Sequence, residues 1–297
     1  MKAKFIFIVV MLIFGSIGLF VKNIDLSSSE IALFRGAIGS LFLIGASFLV
    51  KQRFSFKTSK RNLVLLLLSG AALGFNWIFL FESYRYTTIA NATLSYYFAP
   101  VFVMILAPFL LKEKWTWMKG LGITLAFIGL LLVVNPGGEA PIDANNHSVG
   151  IMYGLLAAAF YTSMILLNKF IKDLSDFETT IMQLLTASIV LFPYVLATQS
   201  LDYSGLGLQS LSLLFIVGVI HTGVAYLLYF SVLKKLKGQT IAVLSYIDPI
   251  SAVIMAAIIL NESMGFVQIV GGVLILGSSF ISEIDWKRLR KPKRHLI

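Results

Sequence analysis

The chain has 297 residues, 58% of them hydrophobic and only 13% charged. So few charges cannot cover a water-exposed surface, which excludes an ordinary soluble domain and suits lipid. The net charge of +10 would fit nucleic acid, but the Lys and Arg residues sit in short joints beside apolar runs instead of forming one basic face, so no nucleic-acid partner is expected.

Cysteine is absent, which removes disulfides and thiol chemistry, and the three histidines, His147, His221 and His295, are too scattered for a structural metal site. No cofactor and no metal are expected. A bilayer-spanning helix needs about 20 apolar residues for about 30 Å of hydrocarbon. Ten stretches meet that need, near 4–21, 30–50, 63–81, 89–111, 117–134, 148–168, 178–197, 210–233, 240–260 and 265–283. The first follows Lys2 and Lys4 and resembles a signal peptide, but it has no A-x-A-like site and continues to Lys22, which predicts a retained helix.

The joints carry charge unevenly. The N-terminus, the joint from Lys51 to Arg61, that of Lys112, Lys114 and Lys119, that of Lys169 and Lys172, that of Lys234, Lys235 and Lys237, and the tail from Lys287 to Arg294 fall on one side. The other side holds only Lys22 and Arg85. The positive-inside rule then puts both termini in the cytoplasm, which requires an even number of spans and agrees with ten. The joint from Asn135 to His147 has turn formers and acids but no Lys or Arg, and it marks a boundary near residue 140. The expected organisation is a first five-helix unit over 1–140, a second over 141–285 and a basic cytoplasmic tail over 286–297, in a multi-pass protein of the plasma membrane.

A shift of 149 residues superposes Phe81 on Phe230, Tyr97 on Tyr246, Pro100 on Pro249, Leu111 on Leu260, Glu113 on Glu262 and Gly122 on Gly271. A proline followed thirteen residues later by a glutamate, then by a Gly-bearing helix, thus occurs twice in order. Five spans per half make the second half enter the membrane from the opposite side. The predicted fold is all-α integral membrane, with ten transmembrane helices in two inverted five-helix repeats around a central cavity, an architecture that suits alternating access.

Phe14-Gly-Ser leading to Lys22, Phe34-Arg35 in the second span, and the paired Pro100/Glu113 and Pro249/Glu262 resemble the EamA branch of the drug/metabolite transporter superfamily, over residues 5 to 283. The resemblance implies a ten-helix secondary transporter, often an exporter of amino acids or other metabolites. One departure is that the position matching Arg35 in the second half is Gln183.

Asp248 lies about eight residues, or about 12 Å, into the ninth span, directly before Pro249. An acid at that depth is costly unless it meets water, a cation or a partner. It is a candidate proton carrier or partner of a substrate amine; the alternative is a hydrogen-bonded packing residue beside a kink. His221, mid-way along the eighth span, titrates near neutrality when unperturbed and is the second coupling candidate, or else a neutral ring satisfied by a hydroxyl. Arg35, about 7 Å inside the second span, either snorkels outward or turns inward to a substrate carboxylate or to an acid such as Glu30 or Asp248.

Trp77, Asn76, Tyr97, Tyr161, Tyr226 and Tyr246 are the candidate cavity lining, whereas Trp115, Trp117 and Trp286 near span ends read as interfacial anchors. Pro100 and Pro249 are expected helix breaks that leave the carbonyls of Tyr96 and Ser245 without their usual donors. Glu113 and Glu262 read as surface residues at helix ends. Gly70/Gly74 and Gly36/Ser40 fit close helix contact, within the fold or between the protomers of a homodimer.

No phosphate-binding loop occurs. An intramembrane hydrolase using Ser245, His221 and Asp248 lacks any nucleophile motif, so the chain is not expected to be an enzyme. The reading is a secondary transporter, a proton-linked exporter of a small organic solute such as an amino acid, with the proton and membrane lipid as its other partners. Uptake of an organic cation and a lipid-scrambling or structural role are the alternatives.

Overall fold

The computed structural model describes residues 2–49, 58–134, 144–199, 203–233 and 235–283, and the regular elements among them are all helical. The first half contains α1 (Lys2–Val21), α2 (Ser28–Leu49), α3 (Lys60–Tyr86), α4 (Ile89–Tyr96), α5 (Ala99–Leu110) and α6 (Trp117–Val134). The second contains α7 (Ala144–Asn168), α8 (Asp176–Thr198) and α9 (Leu208–Ile216), which runs through a π-helical stretch, Val217–Val224, into α10 (Ala225–Leu233). Then follow α11 (Gly238–Ser245), α12 (Ile247–Ile259) and α13 (Phe266–Glu283). Among the described residues, 8 helical spans are long and apolar enough to cross a bilayer, and shorter apolar helices cover Val243–Ile259 and Phe266–Ser278.

Two departures from the sequence reading have local causes. The stretches at 89–111 and 240–260 are each two helices, because Pro100 and Pro249 have no N–H to continue the ladder and start α5 and α12 instead. The third span reaches Tyr86, so Arg85 lies in its last turn, where it donates to the carbonyl of Leu26, instead of in a joint. The boundary near 140, the tail 286–297 with Trp286, and Lys51, Arg53, Lys57 and Lys234 lie outside the described residues.

Several helix ends recur at a fixed offset. Ile89 and Gly238, Tyr96 and Ser245, Trp117 and Phe266, and Val134 and Glu283 are each 149 residues apart. Lys112 (φ 55°) and Asn261 (φ 53°), also 149 apart, both adopt the left-handed conformation that ends α5 and α12. α2 and α8 begin with matching capping boxes. Ser27 Oγ accepts from Glu30 N at 3.2 Å while Glu30 Oε2 accepts from Ser27 N at 2.8 Å, and Ser175 with Glu178 repeats this at 3.2 and 2.9 Å.

Polarity is arranged for lipid. Phe109, Trp117 and Phe266 are 77%, 78% and 79% exposed, whereas Arg35 and His221 are buried inside. α1 belongs to this interior, since Phe7 and Val10 have no exposed surface. Gly36, Gly70 and Gly74 all meet α8, through Ser188, Thr186 and Leu191, so these small residues serve contacts within the chain. α6 and α13 cross backbone to backbone: a Cβ on Gly129 would lie 2.6 Å from the Gly271 carbonyl, and one on Gly271 equally close to that of Gly129.

Candidate functional site

A cavity of about 700 Å³ lies where α1, α2, α3, α4, α7, α8, α10 and α12 converge. Its walls are rich in aromatic residues. Trp77, Tyr84, Tyr96, Tyr97, Tyr161, Tyr226 and Tyr229 line it together with Arg35, Asn76, Gln183 and Asp248. Tyr96 holds the ring arrangement, at 5.8 Å from Tyr97 and 5.4 Å from Tyr161, and Phe14 of α1 packs 5.5 Å from Tyr226.

Arg35 is held from two directions. Its Nε donates to Thr222 Oγ1 at 2.8 Å, and its guanidinium carbon stands 4.3 Å from the centroid of Trp77. Thr222 belongs to the π-helical stretch and in turn donates to the Val217 carbonyl at 3.1 Å. The widened turn moves this hydroxyl toward α2, where Gly39 leaves room for it. Neither Glu30 nor Asp248 pairs with Arg35. Glu30 is committed to the α2 capping box, and the ion pairs among the described residues are Lys22–Glu262 and Lys119–Glu113.

Asp248 lies in the first turn of α12, where unpaired backbone N–H groups favour negative charge. Its Oδ2 accepts from the Tyr97 hydroxyl at 2.6 Å, which ties the break after α4 to the break before α12. α1 passes close beneath: a Cβ at Gly15 would come within 2.5 Å of the Asp248 carbonyl. The cavity wall therefore carries one cation, Arg35, from the first half and two carboxylates, Asp176 and Asp248, from the second.

Other expected residues fall elsewhere. His221 is buried outside the cavity wall, its Nε2 3.0 Å from Ser16 Oγ and its ring 4.7 Å from that of Phe20, and the bonds described for it do not include Asp248. Tyr246 is the break between α11 and α12 itself. Its carbonyl accepts from Ile250 N at 3.2 Å, and it is not among the described wall residues. Pro100 reaches the cavity wall, whereas Pro249 is buried in α12.

Asn76 meets the cavity but spends its amide on the Ala157 carbonyl at 2.8 Å. Ser245 bonds the Ile241 carbonyl, so Ser245, His221 and Asp248 engage three different partners and form no nucleophilic triad. Thr222 and Tyr84 were not singled out from the sequence. Only the flanking Gly218 and Gly223, which admit Ile38 and Phe42 of α2, hinted at an unusual stretch.

An all-helical frame with an apolar exterior, enclosing a tyrosine-rich cavity whose described wall carries one cation and two acids, is that of a multi-pass membrane protein able to hold a small organic solute. The EamA-like transporter family model matches residues 1–135 and 148–283, and the chain belongs to that family. An uncharacterized transporter of Bacillus subtilis, YxxF, is 33% identical over 276 residues, 90% of this chain and 87% of the relative. A probable amino-acid metabolite efflux pump of Salmonella typhimurium is 28% identical over 271 residues, 86% and 88% of the two chains. A crystal structure superposes with a TM-score of 0.65 over 98% of this chain and 99% of the other, and at 17% identity it shows the fold alone.

Proposed function

We propose that the chain is a secondary active transporter of the plasma membrane, a proton-linked exporter of small organic metabolites such as amino acids, working by alternating access. The observation that carries the reading is Asp248, a carboxylate at a helix break, bonded to Tyr97 and facing an aromatic cavity whose opposite charge, Arg35, it does not pair with. Such a carboxyl is free to exchange a proton or to meet a substrate amine, while Arg35 suits a substrate carboxylate. His221 is a second coupling residue, reached through Ser16 instead of from the cavity.

The frame is read as ten spans in two inverted five-helix units, 1–140 and 141–285, with a basic tail over 286–297 and both termini in the cytoplasm. The helix ends and left-handed caps that recur at 149 residues support the repeat. The basic joints support the orientation.

The test is proton-gradient-driven flux of an amino-acid and amine panel in proteoliposomes, comparing the unmodified chain with Asp248→Asn. Asparagine still accepts the Tyr97 hydroxyl, so the fold is expected to hold while gradient dependence disappears. Equal flux with and without the substitution would remove Asp248 from coupling. Gradient-driven uptake restricted to amines would favour the organic-cation importer.

A further inference from the structure

Glu113 and Glu262 occupy the same place in the two halves, yet their surroundings differ. Each follows a left-handed residue, Lys112 or Asn261, and each backbone N–H reaches the carbonyl of the matching alanine, Ala107 at 3.5 Å or Ala256 at 3.2 Å. The backbone thus launches both carboxylates alike. The Glu262 side chain is only 8% exposed; Oε1 meets Lys22 Nζ at 2.8 Å, and Oε2 lies 3.5 Å from Ala90 N at the start of α4. It fastens the end of α12 to the end of α1 and the beginning of α4. The Glu113 side chain is 50% exposed and bonded only locally, to Lys119 at 2.9 Å.

The cavity has the matching asymmetry. Its wall reaches Asn168, Ile171, Leu174 and Leu233, at the ends of α7 and α10, while Lys22 and Glu262 are not among its described wall residues. Around the Lys22 face, Arg85 donates to the Leu26 carbonyl and Ser210 Oγ bonds Asp25. One face is fastened where Glu262 is engaged, and the cavity extends toward the face where Glu113 is released.

We infer that Glu262 and Glu113 are reciprocal latches of the two membrane faces: the Lys22–Glu262–α4 contact closes one face in this state, and Glu113 closes the other in the alternate state. The 149-residue offset carries Ala90 to Gln239, at the start of α11, and the 148-residue offset that relates the α2 and α8 capping boxes carries Lys22 to Phe170, beside Lys169 and Lys172. These groups are the counterpart that Glu113 engages after leaving Lys119. The inference rests on the alternating-access reading.

Because the chain has no native cysteine, Ile17→Cys at the cavity wall is a clean reporter. Its labelling by a membrane-impermeant thiol reagent is measured from the Lys22 face of sealed vesicles of one orientation. Removing one partly buried ion pair from one of two states shifts their populations by about fivefold. Glu262→Gln is therefore expected to raise the labelling rate about fivefold, and Glu113→Gln to lower it by a similar factor. The exchange Lys22→Glu with Glu262→Lys is expected to restore slow labelling. If Glu262→Gln fails to fold, Lys22→Gln breaks the same pair and is read in its place.

No shift, or shifts of the same sign for both glutamates, would overturn the latches. Labelling needs no solute, so opposite shifts in a chain that moves no tested solute would uphold the latches and remove the transport reading. Flux with unshifted labelling would do the reverse.

Discussion

The Arg35–Thr222 bond gives the sharpest test of how the cavity is organised. Thr222→Val keeps the volume and β-branching of the side chain and removes both the acceptor for Arg35 Nε and the donor to the Val217 carbonyl. A hydrogen bond to a charged group contributes about 1.5–3 kcal/mol, and Arg35 is largely buried. If the oriented guanidinium holds the solute, that energy appears as a rise of between about tenfold and a hundredfold in the solute concentration for half-maximal flux. Thr222→Ser keeps an Oγ and is expected to stay close to the unmodified chain.

The decisive comparison is a double-mutant cycle with Arg35→Lys, because lysine has no Nε to meet Thr222 and its ammonium does not reproduce the planar stack on Trp77. In that background Thr222→Val is expected to have little further effect on half-saturation, measured by flux in proteoliposomes. Equal losses in both backgrounds would show that the hydroxyl acts through the π-helical stretch and not through Arg35, which would refute the reasoning.

Gly129→Val places side-chain atoms against the α13 backbone, where even a Cβ would sit 2.6 Å from a carbonyl oxygen. A destabilisation of about 1–3 kcal/mol or more is expected, read as a lower Tm in detergent, and an unchanged Tm would mean that α6 and α13 do not cross at this point. Ser175→Ala removes the acceptor for Glu178 N and is expected to cost about 1 kcal/mol of unfolding stability while leaving half-saturation unaltered. His221→Asn is expected to change the proton-to-solute ratio but not solute affinity, since the ring lies outside the cavity wall. A change in affinity measured by solute binding would contradict that placement.

Much of the frame was legible because membrane spans follow from length and hydropathy, two quantities a sequence displays directly. The expected helix at 117–134 matches α6, and that at 210–233 covers most of α9, the π-helical stretch and α10. The depth of Asp248, and so its candidacy, came from counting along a helix. Its partner Tyr97 could not be counted, because that contact joins residues 151 apart in sequence. Arg35 was readable as an interior cation, but the choice among Glu30, Asp248 and a hydroxyl partner depended on tertiary geometry. Glu30 was already spent on Ser27, three residues away, and Thr222 reached Arg35 only through a local widening of its helix. For His221 the mid-span position gives depth but not facing direction, which depends on a turn that does not keep the α-helical period; its hydroxyl partner is Ser16.

Comparing the halves residue by residue separates frame from site. Positions that end or cap helices match across them: Pro100 with Pro249, Lys112 with Asn261 in backbone conformation, and the capping box of α2 with that of α8. The charged wall positions do not match. Arg35 is answered by Gln183, which spends its amide on Ser69 at 2.9 Å and Asn168 at 2.6 Å. Asp248 is answered by Ala99, 149 residues earlier. Matching halves suit the alternating access proposed above, because they allow two conformations of similar energy. Two charges of the same kind on either side of one cavity would repel, and burying them unpaired would be costly. Arg35 from the first half, with Asp176 and Asp248 from the second, instead sets opposite charges against each other and gives the cavity an electrical direction, along which a solute with separated charges would bind in one orientation.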